Sequence, residues 1–175
     1  MRRILLTCAS VAVLMLPAAA SAGAAGHSGH GFLVVRKAAG DGGVSGRPVV
    51  TVVVHGFVLG RISQEAQARV EIFQIASPAG GGAPQAAGDA LHSPVHWRSF
   101  KGTAYSGSGF RFRALGGDYR VVLRGSGVYL FVGGHGSVTL RGSSVYPRAD
   151  GTYSLDGGTF RSLPKQPVRR QIGGG

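Results

Sequence analysis

Sulfur, acidic side chains and helical periodicity are scarce in this chain. A single cysteine, Cys8, stands among 175 residues. It lies in the N-terminal apolar run, so the body of the chain can build neither a disulfide framework nor a thiolate metal site. Asp and Glu number 7 against 19 Lys and Arg, a net charge of +12 with neutral histidine. Glycoside hydrolysis needs two convergent carboxylates, and no spacing here marks such a pair. No serine lies in a G-x-S-x-G turn, which excludes a nucleophile elbow. Gly80-Gly81-Gly82 and Gly133-Gly134-His135-Gly136 neither open a helix nor carry a following Lys-Ser/Thr, so neither is a phosphate loop. No catalytic residue and no cofactor is therefore expected. No segment holds a long 3.6-residue period, and no G-X-Y repeat orders the 31 glycines. A long coiled coil and a collagen are excluded. A hydrophobic share of 43% excludes a fully disordered chain.

What is present begins with a leader. Arg2 and Arg3 form a positive n-region, Ile4 to Leu16 an apolar stretch, and Ala20-Ser21-Ala22 a small-x-small cleavage site. This is the pattern of a secretory signal peptide over residues 1–22. The apolar stretch falls short of the about 20 residues that span a membrane, so the mature form is expected to carry no transmembrane segment. The expected location is extracellular or at the cell envelope. Cleavage after Ala22 removes Arg2, Arg3 and Cys8 together.

Residues 23–47 read as a flexible Gly-rich lead-in, within which residues 32–37 can form a short strand. Residues 48–163 read as one β domain. Its strongest strand signal is Val49-Val50-Thr51-Val52-Val53-Val54, β-branched throughout. Arg69 to Ile75 reads as another strand, and Ile62 to Ala68 holds the one segment suited to a helical turn. Residues 76–109 read as a long loop, either a mobile insertion or a cover for a short strand near Val95-His96-Trp97. Beyond it Phe110, Phe112 and Ala114 alternate with Arg111 and Arg113. Tyr119, Val121 and Leu123 alternate with Arg120 and Arg124. The glycine clusters at Gly116-Gly117, Gly125-Ser126-Gly127 and Gly133–Gly136 are expected to turn the chain, as in a β-meander. Residues 164–175 read as a disordered basic tail.

One pattern, V-x-L-R-G-S-x-V-Y, occurs at Val121–Tyr129 and again at Val138–Tyr146. Two copies are too few for a solenoid and read as two similar hairpins. The predicted class is all-β, an antiparallel sandwich or small barrel with meander hairpins. Arg113-Ala114-Leu115-Gly116-Gly117-Asp118-Tyr119-Arg120, the Leu-Arg-Gly-Ser turns and Asp150-Gly151-Thr152-Tyr153-Ser154-Leu155-Asp156-Gly157-Gly158 resemble secreted Gly- and Arg-rich proteins of high-GC actinobacteria whose function is unknown. That resemblance, over roughly residues 48 to 163, implies export and a β fold, and implies no activity.

Chemistry concentrates in the arginines. Arg111, Arg113, Arg120, Arg124 and Arg141 fall opposite apolar positions, so neighbouring strands would carry all five on one carboxylate-free face. Guanidinium forks match phosphate and carboxylate. The expected partner is an anionic polymer: a wall polymer, acidic lipid or extracellular nucleic acid, bound without sequence preference and sensitively to salt. The same pattern also suits a solvated strand face that blunts aggregation. Trp97, Phe100 and Tyr105, near Arg98 and Lys101, suit either stacking on a sugar or base or a cap on the core. Asp118, Asp150 and Asp156 each sit beside glycine and read as turn residues. Two further readings stand beside polymer binding. One is a structural, self-associating surface protein. The other is copper or nickel binding at His27, were cleavage to make it the third residue of the mature chain.

Overall fold

The computed structural model describes residues 29–76, 82–143 and 150–173. The signal peptide and His27 lie outside the described residues. Eleven strands form one antiparallel sheet: β1 (Gly31–Ala38), β2 (Val50–Ile62), β3 (Ala68–Ala76), β4 (Gln85–Ala87), β5 (Leu91–Trp97), β6 (Phe100–Gly107), β7 (Arg111–Gly125), β8 (Val128–Leu140), β9 (Thr152–Leu155), β10 (Arg161–Ser162) and β11 (Val168–Ile172). The order is β10-β9-β1-β8-β2-β7-β3-β6-β5, with β4 beside the first part of β7 and β11 beside the last part of β8. The class is all-β, as the alternation predicts, and the sheet is not closed into a barrel.

Period-2 alternation builds the centre. On β2, Val50, Val52, Val54, Val58 and Ile62 are buried, while Val53, His55, Leu59 and Arg61 face outward. Val128, Leu130, Val132, Val138 and Leu140 of β8 and Ala68, Val70 and Ile72 of β3 join the same core. Each such Val, Leu or Ile stabilises the fold by about 1.5–3 kcal/mol when fully buried. The described residues contain no α-helix and no second sheet to cover that inner face. Its side chains are buried because the sheet folds over on itself around one core cluster, closed by Phe110, Tyr153, Leu163 and Ile172.

Gly116-Gly117-Asp118 does not turn the chain. β7 runs through it with an extra residue: Gly56 pairs with Gly117, but Val58 pairs with Ala114. This is a β-bulge, and Gly116 adopts φ 64 within it, where a Cβ is strained. Tyr119, fully buried, ties it down by donating its hydroxyl to the Leu115 carbonyl at 2.8 Å. The bulge switches the inward set from Phe112 and Ala114 to Tyr119, Val121 and Leu123. Gly133–Gly136 is no turn either. β8 passes straight through it, with Gly134 at φ 135 where its backbone presses against the His55 carbonyl.

Other expectations need correction. The described part of 76–109 holds β4, β5 and β6 rather than a mobile insertion; the short strand expected near Val95-His96-Trp97 is the end of β5, which pairs with β6 as a hairpin. The tail is not disordered in its described part: Val168 to Ile172 pair with Leu140 to Gly136, and Ile172 is buried. Ile62 to Ala68 forms a turn at Gln64-Glu65, and the single helical turn among the described residues is a 3-10 turn at Gly43–Ser45. Ser126-Gly127 joins β7 to β8, but not as the expected hairpin: β2 lies between the two strands and pairs with both. Its sequence repeat ends β8 instead, and Ser144 to Tyr146 lie outside the described residues.

Candidate functional site

The outer face divides into three bands. At one end Arg61 on β2 lies between Tyr129 of β8 and Arg111 of β7 as direct cross-strand partners. Leu59, two residues back on the same face, lies between Phe131 and Arg113. Arg36 on β1 and Gln85 on β4 flank the band. The Arg61 guanidinium stacks 4.5 Å over the Tyr129 ring, and that of Arg36 lies 4.1 Å over Phe160. Arg113 donates from Nε and Nη2 to Gln85 Oε1 at 3.0 and 2.7 Å. Among the described residues no carboxylate forms an ion pair with Arg36, Arg61, Arg111 or Arg113. Glu65 shares a cleft wall with Arg61 and Arg111 without pairing with either.

Apolar rings border these cations. Phe32 stacks on Phe131 at 5.8 Å with nearly parallel planes, and Phe57 tilts against Phe131 at 5.5 Å. Phe57 covers Gly133, where a side chain would leave no room for the ring. Phe32, Leu59, Leu115 and Phe131 remain exposed. A cleft of about 360 Å³ runs beside Leu59, lined also by Gln85, Ala86, Arg111 and Arg113.

The far end of the outer face is internally balanced. Glu71 on β3 accepts from Arg69 Nε at 3.0 Å and pairs with Arg124 Nη1 at 2.9 Å. Burial pushes the Glu71 carboxyl up. The hydrogen bonds and charges of Arg124 and Arg69 outweigh it, so its pKa lies below the ordinary value. Arg120 stacks 4.4 Å over Trp97 and 5.6 Å from the Phe73 centroid, and Arg98 covers Trp97 at 4.9 Å. Burial, ahead of its neighbours' charges, lowers the Arg120 pKa. Trp97 stacks on Phe100 at 5.7 Å and leans on buried Phe73. These rings cover Phe73 on the outer side of the sheet, away from the main core cluster.

The five arginines singled out by alternation all lie off the core, yet they do not form one patch. The bulge lets Arg111 and Arg113 share a face with Arg120 and Arg124 despite their opposite parity. Arg113 and Arg120 remain roughly 20 Å apart along β7 at about 3.3 Å per residue. Arg141 lies beyond the end of β8, its backbone N–H donating to Val49. The expectation of a carboxylate-free surface is corrected at Glu71, which reaches this face from a neighbouring strand. Arg36 and Arg61 escaped the sequence reading because each sits in a strand whose neighbours the sequence does not reveal.

Between the ends runs a row of imidazoles. His55 on β2 is the direct partner of His135 on β8 and of Asp118 on β7. His55 Nδ1 lies 2.8 Å from Asp118 Oδ1. The His55 and His135 rings are 5.0 Å apart, and His30 meets His135 edge-on at 6.0 Å. Asp118 is thus a strand residue facing a histidine, not a turn residue. His92 and His96 lie on the exposed strand β5. Among the described residues no group of three or more His, Cys, Asp or Glu converges as a metal site.

The chain matches no known protein family, no curated protein and no solved structure. Among the described residues no helix is long and apolar enough to cross a membrane.

Proposed function

We propose that this is a secreted, non-enzymatic β module that binds anionic envelope or extracellular polymers at the Arg36–Arg61–Arg111–Arg113 end of its outer face. One observation carries the reading. Arg61 and Arg111 are direct cross-strand partners, and no carboxylate pairs with either among the described residues. Like charges directly opposite each other destabilise a sheet, and a bridging phosphate or carboxylate would relieve this. The exposed Phe32 and Phe131 rings add faces for the apolar side of a sugar or base. Arg120, Arg124 and Arg141 contribute to long-range attraction, and Arg124 is already held by Glu71.

Fluorescence anisotropy of a labelled anionic wall polymer and a labelled single-stranded oligonucleotide, over a salt series, tests this. Arg61→Gln with Arg111→Gln is expected to abolish binding at physiological salt, while Arg120→Gln with Arg124→Gln weakens it less. Equal binding by wild type and the first double variant would sink the proposal. A second reading has its own support, the exposed apolar group Phe32, Leu59, Leu115 and Phe131. It makes this face a self-association surface. Sedimentation equilibrium would then show oligomers without polyanion, lost on Phe131→Ser.

A further inference from the structure

The imidazole row is not used by polymer binding, and its geometry is specific. We infer that His55 and His135 form a two-imidazole site for a divalent transition-metal ion such as zinc, with Asp118 as the residue that positions His55.

Three observations carry this. His55 and His135 are register partners on adjacent strands and both face outward, so the backbone holds the pair together. A zinc–nitrogen bond of about 2.0 Å plus about 1.1 Å to the ring centre places each centroid about 3.1 Å from the ion. At the tetrahedral angle the two centroids then lie about 5.1 Å apart. The observed spacing is 5.0 Å. Imidazole nitrogens suit zinc and the other imidazole-binding divalent ions.

The second observation is the Asp118 carboxylate at 2.8 Å from His55 Nδ1. In the neutral ring, Nδ1–H donates to that carboxylate and leaves the Nε2 lone pair outward. Carboxylate, histidine and metal in this order is how proteins orient a ligand imidazole. The third is access. Both imidazoles lie on the outer face, His135 is exposed, and the His55 side chain is 49% exposed. No third donor converges with these two, so water or a small ligand completes the shell. His30, 6.0 Å from His135, is the nearest further imidazole.

The test is a zinc titration of the protein, by calorimetry and by the imidazole signals in NMR. The expected result is one ion per chain, with the His55 and His135 signals moving together and those of His92 and His96 unmoved. His55→Ala or His135→Ala removes this binding. Asp118→Asn retains it but weakens it about tenfold or more, with the unfolding midpoint reported alongside to separate metal loss from misfolding. Stationary His55 and His135 signals in wild type, or undiminished binding in both alanine variants, overturns the assignment. The wild-type spectrum decides alone if a variant fails to fold.

Discussion

Glu71→Gln is the substitution whose effect follows most directly from the structure. Glu71 is the one carboxylate among the described residues that forms an ion pair with arginine, holding Arg69 at 3.0 Å and Arg124 at 2.9 Å. Its side chain is 15% exposed. Exposed pairs contribute about 0–1 kcal/mol, and removing one partner of a fully buried pair costs about 3–5 kcal/mol. Glu71 lies between these limits, so the expected loss is about 2 kcal/mol at neutral pH. The pH dependence has a definite sign. The folded pKa is depressed below the ordinary 4.5. The stabilisation is therefore fully present above 4.5, and it is lost as pH falls through the lower folded value. Urea unfolding followed by the single tryptophan, Trp97, measures both. The gap between wild type and variant should be wide at neutral pH and close below the folded pKa. A loss that stays the same at both pH values would assign the effect to packing and refute the electrostatic account.

Tyr119→Phe removes the hydroxyl that holds the bulge and should cost about 1 kcal/mol, read as a shift in urea midpoint. Gly116→Ala places a Cβ at φ 64 and should cost about 1–2 kcal/mol, whereas Gly82→Ala, with no positive φ and open space around the added carbon, should be near neutral by the same measurement. Removing residues 164–175 deletes β11 and its buried Ile172. A loss of at least about 1.5–3 kcal/mol is expected, together with faster amide exchange at Val138 and Leu140; unchanged exchange would argue against β11.

The strongest strands were legible in the sequence. Phe110 to Ala114 and Tyr119 to Leu123 lie where their alternation puts them, and the β-branched run Val50 to Val54 is a strand as its composition indicates. The glycine clusters misled because glycine serves two ends. At Gly127, φ 64, it links the end of β7 to the start of β8, and at Gly116 and Gly134 it lets long strands bulge and press together. Nothing local separates these cases, since the choice depends on which strand lies alongside. β5 and β6 were hidden for another reason. His92, Ser93 and Pro94 are exposed and Thr103 and Ser106 half-exposed; β6 is ordered by pairing with β3, and β5 by pairing with β6. The imidazole row was invisible because His55, Asp118 and His135 meet only through register.

The balance of acids explains why the arginine ends differ. Glu71 serves Arg69 and Arg124. Asp118 is engaged by His55, and Asp156 accepts the Phe32 N–H at 2.8 Å. Asp41 accepts from Ser143, and Asp150 is buried. Glu65 and Asp89 lie at turns and pair with no arginine among the described residues. Glu65 shares a cleft with Arg61 and Arg111 yet pairs with neither. That leaves the pair open to an external anion. Replacing Arg111 with Gln should therefore leave the fold unharmed, or stabilise it by a few tenths of about 1 kcal/mol at low salt, while weakening polymer binding. A strongly destabilised Arg111→Gln protein would show that the side chain is structural and remove the ground for the binding face.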